Sequence, residues 1–387
     1  MGMNLHETPS IGLVLKGFDK GGLEQVVYNL YVGYRKQGWK AYIFVETDNV
    51  GYFAERLESP DHLCMFSGNK DRFLQFCYIN RITHLHYHYS TFFVEEANKY
   101  GIRTIYTIHN TYVWMADDII RHYGTVLAQM NAIVAVSSRV KNYFCSKAKI
   151  PLNDVEVIVN GIDFTELECT ELPETLKRKS FAKDDDITLC MSASILPAKN
   201  QIGMIGVMKL VTEKMPNVKL IIVGNVGDQK YYDMLKSSII EHKMGDNIIL
   251  VNYFDHRYMG EFLRQCVDIF ILPTLYEGCS NAVLEAAYCA KPILVTDVGN
   301  ARDMVGCAAV KVVPPAYDSL EKVTLQDIEH IATMIKPTNT QKVADGILEI
   351  ADNLLQWKQR AAEYTLNKDQ FNMERMVRQY VKLIKEI

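Results

Sequence analysis

The residues of this sequence that are most informative about its chemistry are two glutamates eight positions apart. Glu277 and Glu285 flank the segment Gly-Cys-Ser-Asn-Ala-Val-Leu. A helix that begins in this segment would place Glu285 about five residues inside it, roughly 7.5 Å along its axis, with Glu277 in the loop before it. The N–H groups and partial positive charge of a helix N-terminus suit a phosphate. The layout fits a ligand with phosphates in its middle and hydroxyl groups at both ends, such as a nucleoside diphosphate sugar.

A strand and a helix must position these two glutamates. Ile269–Leu272 is a short apolar run, typical of a parallel strand that is covered on both faces. Pro273 and Gly278 interrupt this strand, and Ser280 or Asn281 can cap the helix that follows. The motif therefore lies at the carboxyl end of a strand, where open α/β sheets bind ligands. The plain alternative is a solvated loop glutamate followed by a surface charge on a helix.

A lysine and a histidine also follow predicted strands. Lys199 comes after a strand predicted over 187–193, and an ammonium group there could neutralise a diphosphate as it leaves. His109 follows a strand predicted over 104–108, and its ring can donate or accept a hydrogen bond at pH 7. A surface lysine and a structural histidine are the corresponding plain interpretations.

Two glycines separate the first predicted strand, 11–15, from the first predicted helix, 23–37. Gly21 and Gly22 permit positive φ and a close approach of the backbone to a ligand. Neither this loop nor the later Gly224-Asn-Val-Gly227 contains G-x-G-x-x-G, the fingerprint of dinucleotide binding. The sequence thus argues against a dinucleotide-dependent oxidoreductase.

Three histidines alternate on another predicted strand. His84, His86 and His88 point the same way, because side chains two positions apart share one face of a strand. Three imidazoles along one strand span too far for a single tetrahedral ion, and no carboxylate is adjacent. We interpret them as core or cleft-lining residues and expect no metal site.

Length and composition limit the class of protein. The chain has 387 residues, enough for two domains of ~150 to 200 residues. It is 48% hydrophobic and 23% charged, as is usual for a soluble globular protein. Its net charge of −4 argues against a dedicated nucleic-acid binder. The nine cysteines are scattered without a C-x-x-C pair, which favours free thiols in a reducing compartment, and Cys279 is better explained by its backbone N–H than as a nucleophile.

The sequence predicts a cytoplasmic protein. Residues 1–7 are polar, and the first apolar run, 11–15, is too short for a secretory signal. No apolar run approaches the ~20 residues of a membrane-spanning helix. We expect any membrane contact to be peripheral, at the inner membrane face. The final segment, 373–387, has a basic face that could touch a membrane, although packing is the preferred interpretation.

Strand and helix signals alternate along the chain, which indicates βαβ units and parallel sheets of the α/β class. We predict domains over 1–165 and 166–370, a hinge near 164–180, and a terminal helix over 371–387. Residues 314–340 do not follow the pattern, and we interpret them as an insertion rather than a third domain.

The glutamate motif resembles the signature of a known enzyme family. Glu277-Gly-x-x-Asn281-x-x-Leu284-Glu285-Ala286, followed by Lys291-Pro292 and Thr296-Asp297-Val-Gly299, is similar to retaining glycosyltransferase family four with its Glu-x7-Glu motif. The resemblance covers most of the chain and is specific between 269 and 303. It implies the GT-B fold: two Rossmann-like, doubly wound domains facing across a cleft, the first for the acceptor and the second for the nucleotide sugar. It also implies that the terminal helix crosses back to the first domain.

The resemblance also implies roles for individual residues. Glu277 would contact hydroxyls of the donor sugar, Glu285 the ribose, and Lys199 the leaving diphosphate. His109 would lie beside the donor sugar at the reacting face, and no metal would be needed. The implied catalytic residues are thus Glu277, His109 and Lys199. The implied donor-binding residues are Gly21, Gly22, Lys199, Glu277, Gly278, Cys279, Ser280, Asn281, Ala282, Val283 and Glu285.

One position departs from the family pattern. The family has an arginine about five residues before the lysine, where this chain has Ser194, or nearby Ser192. Neutralisation of phosphate would then depend more on Lys199 and on the helix terminus.

The expected activity is retaining transfer of a hexose-type sugar from a UDP- or GDP-sugar to an acceptor hydroxyl. Its acceptor would be a glycan, a lipid-linked molecule or a small molecule, in surface polysaccharide or glycan biosynthesis. Two alternatives remain open at this point: a non-catalytic GT-B partner protein, and another nucleotide-sugar enzyme such as an epimerase or a phosphorylase.

Overall fold

The computed structural model describes residues 8–168, 171–252, 254–365 and 368–387. The chain forms two compact units, the first made of 1–162 with 371–387 and the second of 163–370. The boundary thus lies three residues before the predicted one at 165. The expectations for residues 1–7 and for the Cys169 thiol concern parts of the chain outside the described residues.

The first unit contains a seven-stranded parallel sheet of order β3-β2-β1-β4-β5-β6-β7. Its strands are β1 (Ser10–Leu15), β2 (Lys40–Val45), β3 (Leu63–Met65), β4 (His84–His88), β5 (Arg103–Ile108), β6 (Ala132–Ala135) and β7 (Val155–Val157). β1 is buried along its whole length, as expected of a central strand covered on both faces. The strand order reverses between β1 and β4, so this sheet has its ligand-binding switch point there.

Helices connect these strands and cover the sheet. They are α1 (Gly22–Lys36), α2 (Lys70–Ile79), α3 (Val94–Lys99), α4 (Asp117–Leu127) and α5 (Ser138–Ala148). One face of α1 is buried, including Leu30 and Tyr34. Ser137 is the N-cap of α5, and its hydroxyl accepts a hydrogen bond from the Val140 N–H at 3.3 Å.

The second unit contains a six-stranded parallel sheet of order β10-β9-β8-β11-β12-β13. Its strands are β8 (Ile187–Ser192), β9 (Val218–Val223), β10 (Ile248–Val251), β11 (Ile269–Leu272), β12 (Ile293–Thr296) and β13 (Val310–Val313). The order reverses between β8 and β11, which makes the carboxyl ends of these two strands the switch point of the second sheet.

Seven helices accompany this sheet in the described residues: α6 (Gly203–Lys214), α7 (Gln229–Glu241), α8 (Met259–Cys266), α9 (Asn281–Tyr288), α10 (Leu325–Ala332), α11 (Thr340–Asp352) and α12 (Leu354–Thr365). α11 packs on α6, and α10 packs against the 3₁₀ turn Pro197–Lys199. The segment 314–340, interpreted from sequence as an insertion, is therefore part of the second unit's own fold.

The described residues of the predicted hinge, 164–180, pack in the second unit, and the boundary between the units lies next to its start. Phe164 stacks on Tyr288 with ring centroids 3.9 Å apart. Leu172 is buried, and the guanidinium of Arg178 donates to Asp268 at 3.0 Å. These contacts explain why the second unit begins at residue 163.

The terminal helix, α13 (Met373–Glu386), belongs to the first unit and packs on α1. An added Cβ on Gly33 of α1 would lie 2.2 Å from a methyl group of Val377, so the close approach of the two helices requires glycine there. The Tyr380 hydroxyl lies 2.9 Å from Thr107 Oγ1 on β5, which ties α13 to the sheet. Among the described residues, no helix has the length and apolarity that a membrane crossing needs.

Candidate active site

The loops that follow β8 and β11 are joined at the switch point of the second sheet. The carbonyl oxygen of Ala198 accepts two hydrogen bonds, from Thr274 Oγ1 at 2.7 Å and from the Leu275 N–H at 2.8 Å. Thr296 Oγ1, at the end of β12, donates to the Thr274 carbonyl at 2.5 Å. Three consecutive strand ends of the sheet are thus fixed to one another, and the side chains that follow them lie together.

Lys199 and Glu277 form an ion pair at this point. Their side chains are only 19% and 14% exposed, so solvent screens the pair less than it screens a surface pair. An ammonium group here can neutralise an anion, and the carboxylate can accept hydrogen bonds from hydroxyl groups. The structure brings together these two predicted residues, which sequence reasoning had placed on separate loops.

The loop after β12 approaches the Glu277 loop closely. Gly299 has φ of +53°, a conformation that favours glycine, and an added Cβ would lie 2.7 Å from the Gly278 carbonyl oxygen. Asn300 is 3% exposed, and its Oδ1 accepts a hydrogen bond from the Ser280 N–H at 3.3 Å. Its Nδ2 is buried without a hydrogen-bond partner. A buried N–H group without a hydrogen-bond partner therefore lies beside the segment that is predicted to bind the nucleotide sugar.

The N-terminus of α9 is positioned by the packing of the helix. Val283, Leu284 and Ala286 are buried, which fixes α9 against β11 and β12. Ser280 is the N-cap, one of the two predicted positions, but its side chain makes no capping hydrogen bond. A small cavity beside this terminus is lined by residues that include Thr274, Glu277, Ser280, Val283, Thr296 and Asn300. The Ser280 side chain does not cap the first turn of α9, and the N-terminus of a helix is well suited to bind a phosphate.

Glu285 is held by a histidine that sequence reasoning missed. Glu285 is 8% exposed, and its Oε1 lies 3.0 Å from His256 Nε2. The negative charge of Glu285 raises the pKa of His256 to about 9, so the imidazole is charged at pH 7. His256 lies on the 3₁₀ turn His256–Tyr258 that precedes α8. No local pattern links a histidine on a turn to a glutamate on a later helix.

The remaining candidates, His109, Gly21 and Gly22, belong to the first unit. His109 is 9% exposed, and its Nε2 lies 2.7 Å from His88 Nδ1. Burial lowers the pKa of His109 to about 3, so its ring is neutral at pH 7. Gly21 precedes α1 in an extended conformation, so it does not use the positive φ that sequence reasoning considered. The Glu24 carboxylate occupies the space beside Gly21, whereas the space beside Gly22 is open.

Two further predictions concern Ser194 and the alternating histidines. Ser194 lies after β8, and its carbonyl oxygen accepts a hydrogen bond from Gln201 Nε2 at 2.9 Å. His86 and His88 are hydrogen-bonded to Thr107 and His109. In the part of the chain that the structure describes, no group of three histidine, cysteine, aspartate or glutamate side chains has an arrangement that could hold a metal ion.

Both units match models of glycosyltransferase families. Residues 20–166 match "Glycosyltransferase Family 4", and residues 173–329 match "Glycosyl transferases group 1". The two matched regions follow the two units and together span most of the chain.

Curated relatives are distant. The phosphatidylinositol N-acetylglucosaminyltransferase GPI3 subunit of Saccharomyces cerevisiae is 24% identical over 229 residues, which is 57% of this chain and 48% of that protein. A human phosphatidylinositol N-acetylglucosaminyltransferase subunit is 22% identical over 282 residues, 72% of this chain and 54% of that protein. The chain thus spans about half the length of these relatives.

Solved structures share the fold. HepE of Anabaena, in complex with UDP, has a TM-score of 0.78 at 15% identity and is aligned over 98% of this chain and all of its own. A glycosyltransferase from Rickettsia africae ESF-5 has a TM-score of 0.77 at 17% identity, over 98% of this chain and 99% of its own. The fold is GT-B. Together with the two family matches, it supports the assignment of this chain as a glycosyltransferase of the family-four type.

Proposed function

We propose that this protein is a retaining glycosyltransferase that moves a hexose-type sugar from a UDP-sugar to an acceptor hydroxyl. The observation that carries the proposal is the Lys199–Glu277 ion pair beside the N-terminus of α9. A cation, a carboxylate and a helix N-terminus meet there at the switch point of a parallel sheet. This combination suits a ligand that carries a diphosphate and a sugar.

The donor would bind across these groups. In this proposal the ammonium of Lys199 and the N–H groups of the segment from Cys279 to Val283 hold the diphosphate and the sugar. Glu277 orients the sugar through its hydroxyls, and Glu285 binds the ribose. Preorganised positive charge stabilises the leaving diphosphate as its negative charge grows, and this is where most of the rate enhancement would arise.

Retention follows if the acceptor hydroxyl attacks from the face that the diphosphate leaves. In this proposal the leaving phosphate takes the proton of the acceptor hydroxyl, so the protein need not supply a base. His109 would lie beside the attacked carbon as a neutral group. Lys199 and the helix N-terminus supply the positive charge at the phosphate, and we propose that the reaction needs no metal ion.

Names of similar proteins guide the choice of donor and acceptor. The yeast and human relatives are subunits of phosphatidylinositol N-acetylglucosaminyltransferases, and HepE was solved with UDP-glucose. Further relatives act in the biosynthesis of O-antigen and capsular polysaccharide. We therefore propose UDP-N-acetylglucosamine or UDP-glucose as donor. The proposed acceptor is a hydroxyl of a glycan, a lipid-linked molecule or a small molecule, in surface polysaccharide or glycan biosynthesis.

The proposed location is the cytoplasm, with any membrane contact peripheral and at the inner face. The eight cysteines among the described residues are all free thiols, which supports a reducing compartment.

The test is thermal stabilisation by UDP, GDP, ADP, CMP and NAD, measured on the wild type and on Glu285→Ala. A ligand at a hundred times its dissociation constant stabilises the fold by ~2.7 kcal/mol. We expect UDP to stabilise the wild type and to lose this effect in Glu285→Ala. Glu349→Ala is the matched control, because Glu349 pairs with Lys311 on the surface and should leave the UDP shift unchanged.

Other outcomes would redirect the proposal. Stabilisation by GDP in place of UDP would change the donor base and keep the enzyme class. Stabilisation by no nucleotide would favour a non-catalytic partner protein, the alternative that Ser194 in place of the family arginine supports. Release of UDP from a UDP-sugar only when an acceptor is present would argue against an epimerase or a phosphorylase.

A further inference from the structure

A cluster of buried imidazoles lies behind His109 in the first unit. His86 and His88 on β4 are fully buried, and their ring centroids are 4.1 Å apart. His88 Nδ1 lies 2.7 Å from His109 Nε2. Farther from His109, His86 Nε2 lies 2.7 Å from Thr107 Oγ1, which in turn lies 2.9 Å from the Tyr380 hydroxyl of α13.

The register of two neighbouring strands creates this cluster. In the parallel pairing of β4 with β5, His86 lies beside Ile105 and His88 beside Thr107. Side chains two positions apart share a face, so Thr107 and His109 follow one another just as His86 and His88 do. The sheet therefore places His88 directly behind His109.

Unpartnered nitrogens indicate which atoms of these rings carry protons. Among the described residues, His86 Nδ1 and His88 Nε2 are buried without a hydrogen-bond partner. A neutral imidazole carries one proton, on one of its two nitrogens. An orphaned buried N–H is rarer in proteins than an under-satisfied acceptor, because the lost donor is costly. The proton of His88 therefore belongs on Nδ1, from which it is donated to Nε2 of His109.

The surroundings keep all three rings neutral. Burial lowers the pKa of His86 and of His88 well below the usual value, and burial alone lowers that of His109 to about 3. The rings that face His109 are His88 and Tyr89, with Tyr112 packed on Tyr89. Burial lowers the pKa of His88 and raises the pKa of Tyr112, so both of these rings are uncharged at pH 7. A neutral His109 that accepts at Nε2 carries its own proton on Nδ1.

We propose that His88 is a positioning residue that fixes His109 as the Nδ1–H tautomer, so that His109 offers a hydrogen-bond donor, and no base, to a ligand at the carboxyl end of β5. The identity of that ligand rests on the proposed function, whereas the tautomer does not. A donor at this place leaves the acceptor's proton to the departing phosphate. This division of roles matches a transfer in which the protein supplies no base.

The first test observes the tautomer directly in the full-length chain without ligand. Long-range ¹⁵N–¹H correlations of ¹⁵N-histidine-labelled protein distinguish Nδ1–H, Nε2–H and charged rings, and His109→Gln assigns the signal by its loss. We expect His109 to be the Nδ1–H tautomer throughout pH 6 to 8. An Nε2–H tautomer or a charged ring at His109 would overturn the proposal.

Variants of His88 test whether it is the cause. His88→Asn keeps an N–H near the position of Nδ1 and should keep the tautomer of His109. His88→Leu removes the donor and should shift His109 toward the Nε2–H form that free histidine favours. The matched control is His86→Leu, on the same strand and equally buried, which should leave the tautomer unchanged because His86 has no hydrogen bond to His109.

Two results would refute the role of His88. One is an unchanged His109 tautomer in His88→Leu, and the other is a shift of equal size in His86→Leu. If His88→Leu fails to fold, as judged by circular dichroism, the wild type and His88→Asn still decide the question.

Turnover of UDP-N-acetylglucosamine and UDP-glucose separates this inference from the proposed function. In His88→Leu we expect kcat to fall roughly tenfold with the KM for the donor unchanged, as for one hydrogen bond to the reacting sugar, and His88→Asn to recover it. Absence of turnover in the wild type, with the Nδ1–H tautomer observed, would refute the proposed function alone. If His88→Leu folds and shifts the tautomer of His109 but keeps a normal kcat, the proposed role of the His109 Nδ1–H group in turnover is refuted.

Discussion

The carboxyl ends of the two parallel sheets present different polar chemistry. In the second unit they carry charges, in the Lys199–Glu277 and His256–Glu285 pairs. In the first unit His109 is neutral because burial lowers its pKa to about 3. The ends of β8 and β11 thus offer charged groups, whereas the end of β5 offers an uncharged imidazole. Charged groups suit an anionic diphosphate, and a neutral ring suits a hydroxyl.

The largest expected effect is that of Lys199→Ala. This change removes the cation beside the proposed diphosphate site and leaves Glu277, only 14% exposed, without its counter-charge. By analogy with the loss of one oxyanion-stabilising donor, kcat should fall by about 10² to 10³. The measurement is release of UDP from UDP-N-acetylglucosamine or UDP-glucose under saturating donor.

Lys311→Ala is the control for this prediction. Lys311 also forms an ion pair, with Glu349 at 2.6 Å, but on the surface of β13. Its loss should leave kcat within about twofold of the wild type, since exposed pairs contribute little. An equal loss of activity in both variants would show that the charged groups beside α9 have no special role.

A second prediction concerns Asp268, which lies at the amino end of β11, opposite the proposed site. Its carboxylate accepts hydrogen bonds from the Thr188 N–H at 2.9 Å, from Arg178 at 3.0 Å and from Lys358 at 2.6 Å. Burial raises its pKa, but these hydrogen bonds outweigh burial and hold the pKa at about 2. Asp268→Asn should therefore lower the free energy of unfolding by about 2 to 4 kcal/mol.

The measurement is urea unfolding, together with UDP binding, which Asp268→Asn should leave unchanged in the folded protein. Asp233→Asn is the matched control, because Asp233 pairs with Lys236 on the surface and its loss should leave the free energy of unfolding nearly unchanged. If Asp268→Asn loses UDP affinity without losing stability, the prediction is contradicted. Asp268, at the amino end of β11, would then affect ligand binding rather than stability.

The sequence predicts the fold well where strands are buried on both faces. The observed β11, Ile269–Leu272, coincides with its apolar run and is buried at every position, since a central parallel strand is a continuous apolar segment. β3 has only three residues, and β13, with Val-Lys-Val-Val, is half exposed at the end of the sheet. Neither produces a clear pattern, because a short strand at the end of a sheet buries few side chains.

Contacts between residues that are distant in sequence are the features of the site that the sequence could not predict. Glu277 and Glu285 could be predicted, because a strand, a loop and a helix N-terminus are continuous in sequence. The contact of His256 with Glu285 joins a turn to a helix 29 positions later, and no local signal encodes it. The contact of His88 with His109 is an intermediate case, because it follows once the register of β4 with β5 is known.

A third prediction uses the pH dependence of the first unit. Its His109 has a folded pKa of about 3, below the ordinary value of 6.5. Between these values the unfolded chain binds a proton that the folded chain does not, so stability falls as the pH decreases below 6.5. The lowered pKa of His109 alone should reduce the free energy of unfolding by about 2 kcal/mol between pH 7.5 and pH 5. The lowered pKa values of the buried His86 and His88 act in the same direction.

Hydrogen exchange measured by mass spectrometry on peptides of β4 and β5 should show this loss locally. Peptides of β11 and β12 in the second unit are the internal control and should change less over the same range. Equal protection of β4 at pH 7.5 and pH 5 would show that the histidine cluster takes up protons in the folded state. That result would contradict the neutral cluster.

The smallest expected effect has the opposite sign and belongs to the second unit. Glu285 raises the pKa of His256 to about 9, above the ordinary value of 6.5, with Glu166 and Asp255 adding to the effect. The folded chain therefore holds a proton that the unfolded chain releases. This stabilisation is fully present below pH 6.5 and is lost as the pH rises through about 9. Because the His256 side chain is 46% exposed, it should amount to about 0.5 kcal/mol.

A double-mutant cycle measures the coupling energy between His256 and Glu285. It compares urea unfolding of the wild type, His256→Gln, Glu285→Gln and the double variant. The coupling should be present at pH 6 and absent at pH 10, because the imidazole is charged only at the lower pH. A coupling that persists at pH 10 would mean that hydrogen bonding, and not charge, joins the two side chains. In that case the charged character of the second sheet's carboxyl end would depend on Lys199 and Glu277 alone, and Glu285 would meet a ribose as a carboxylate whose neighbour is neutral.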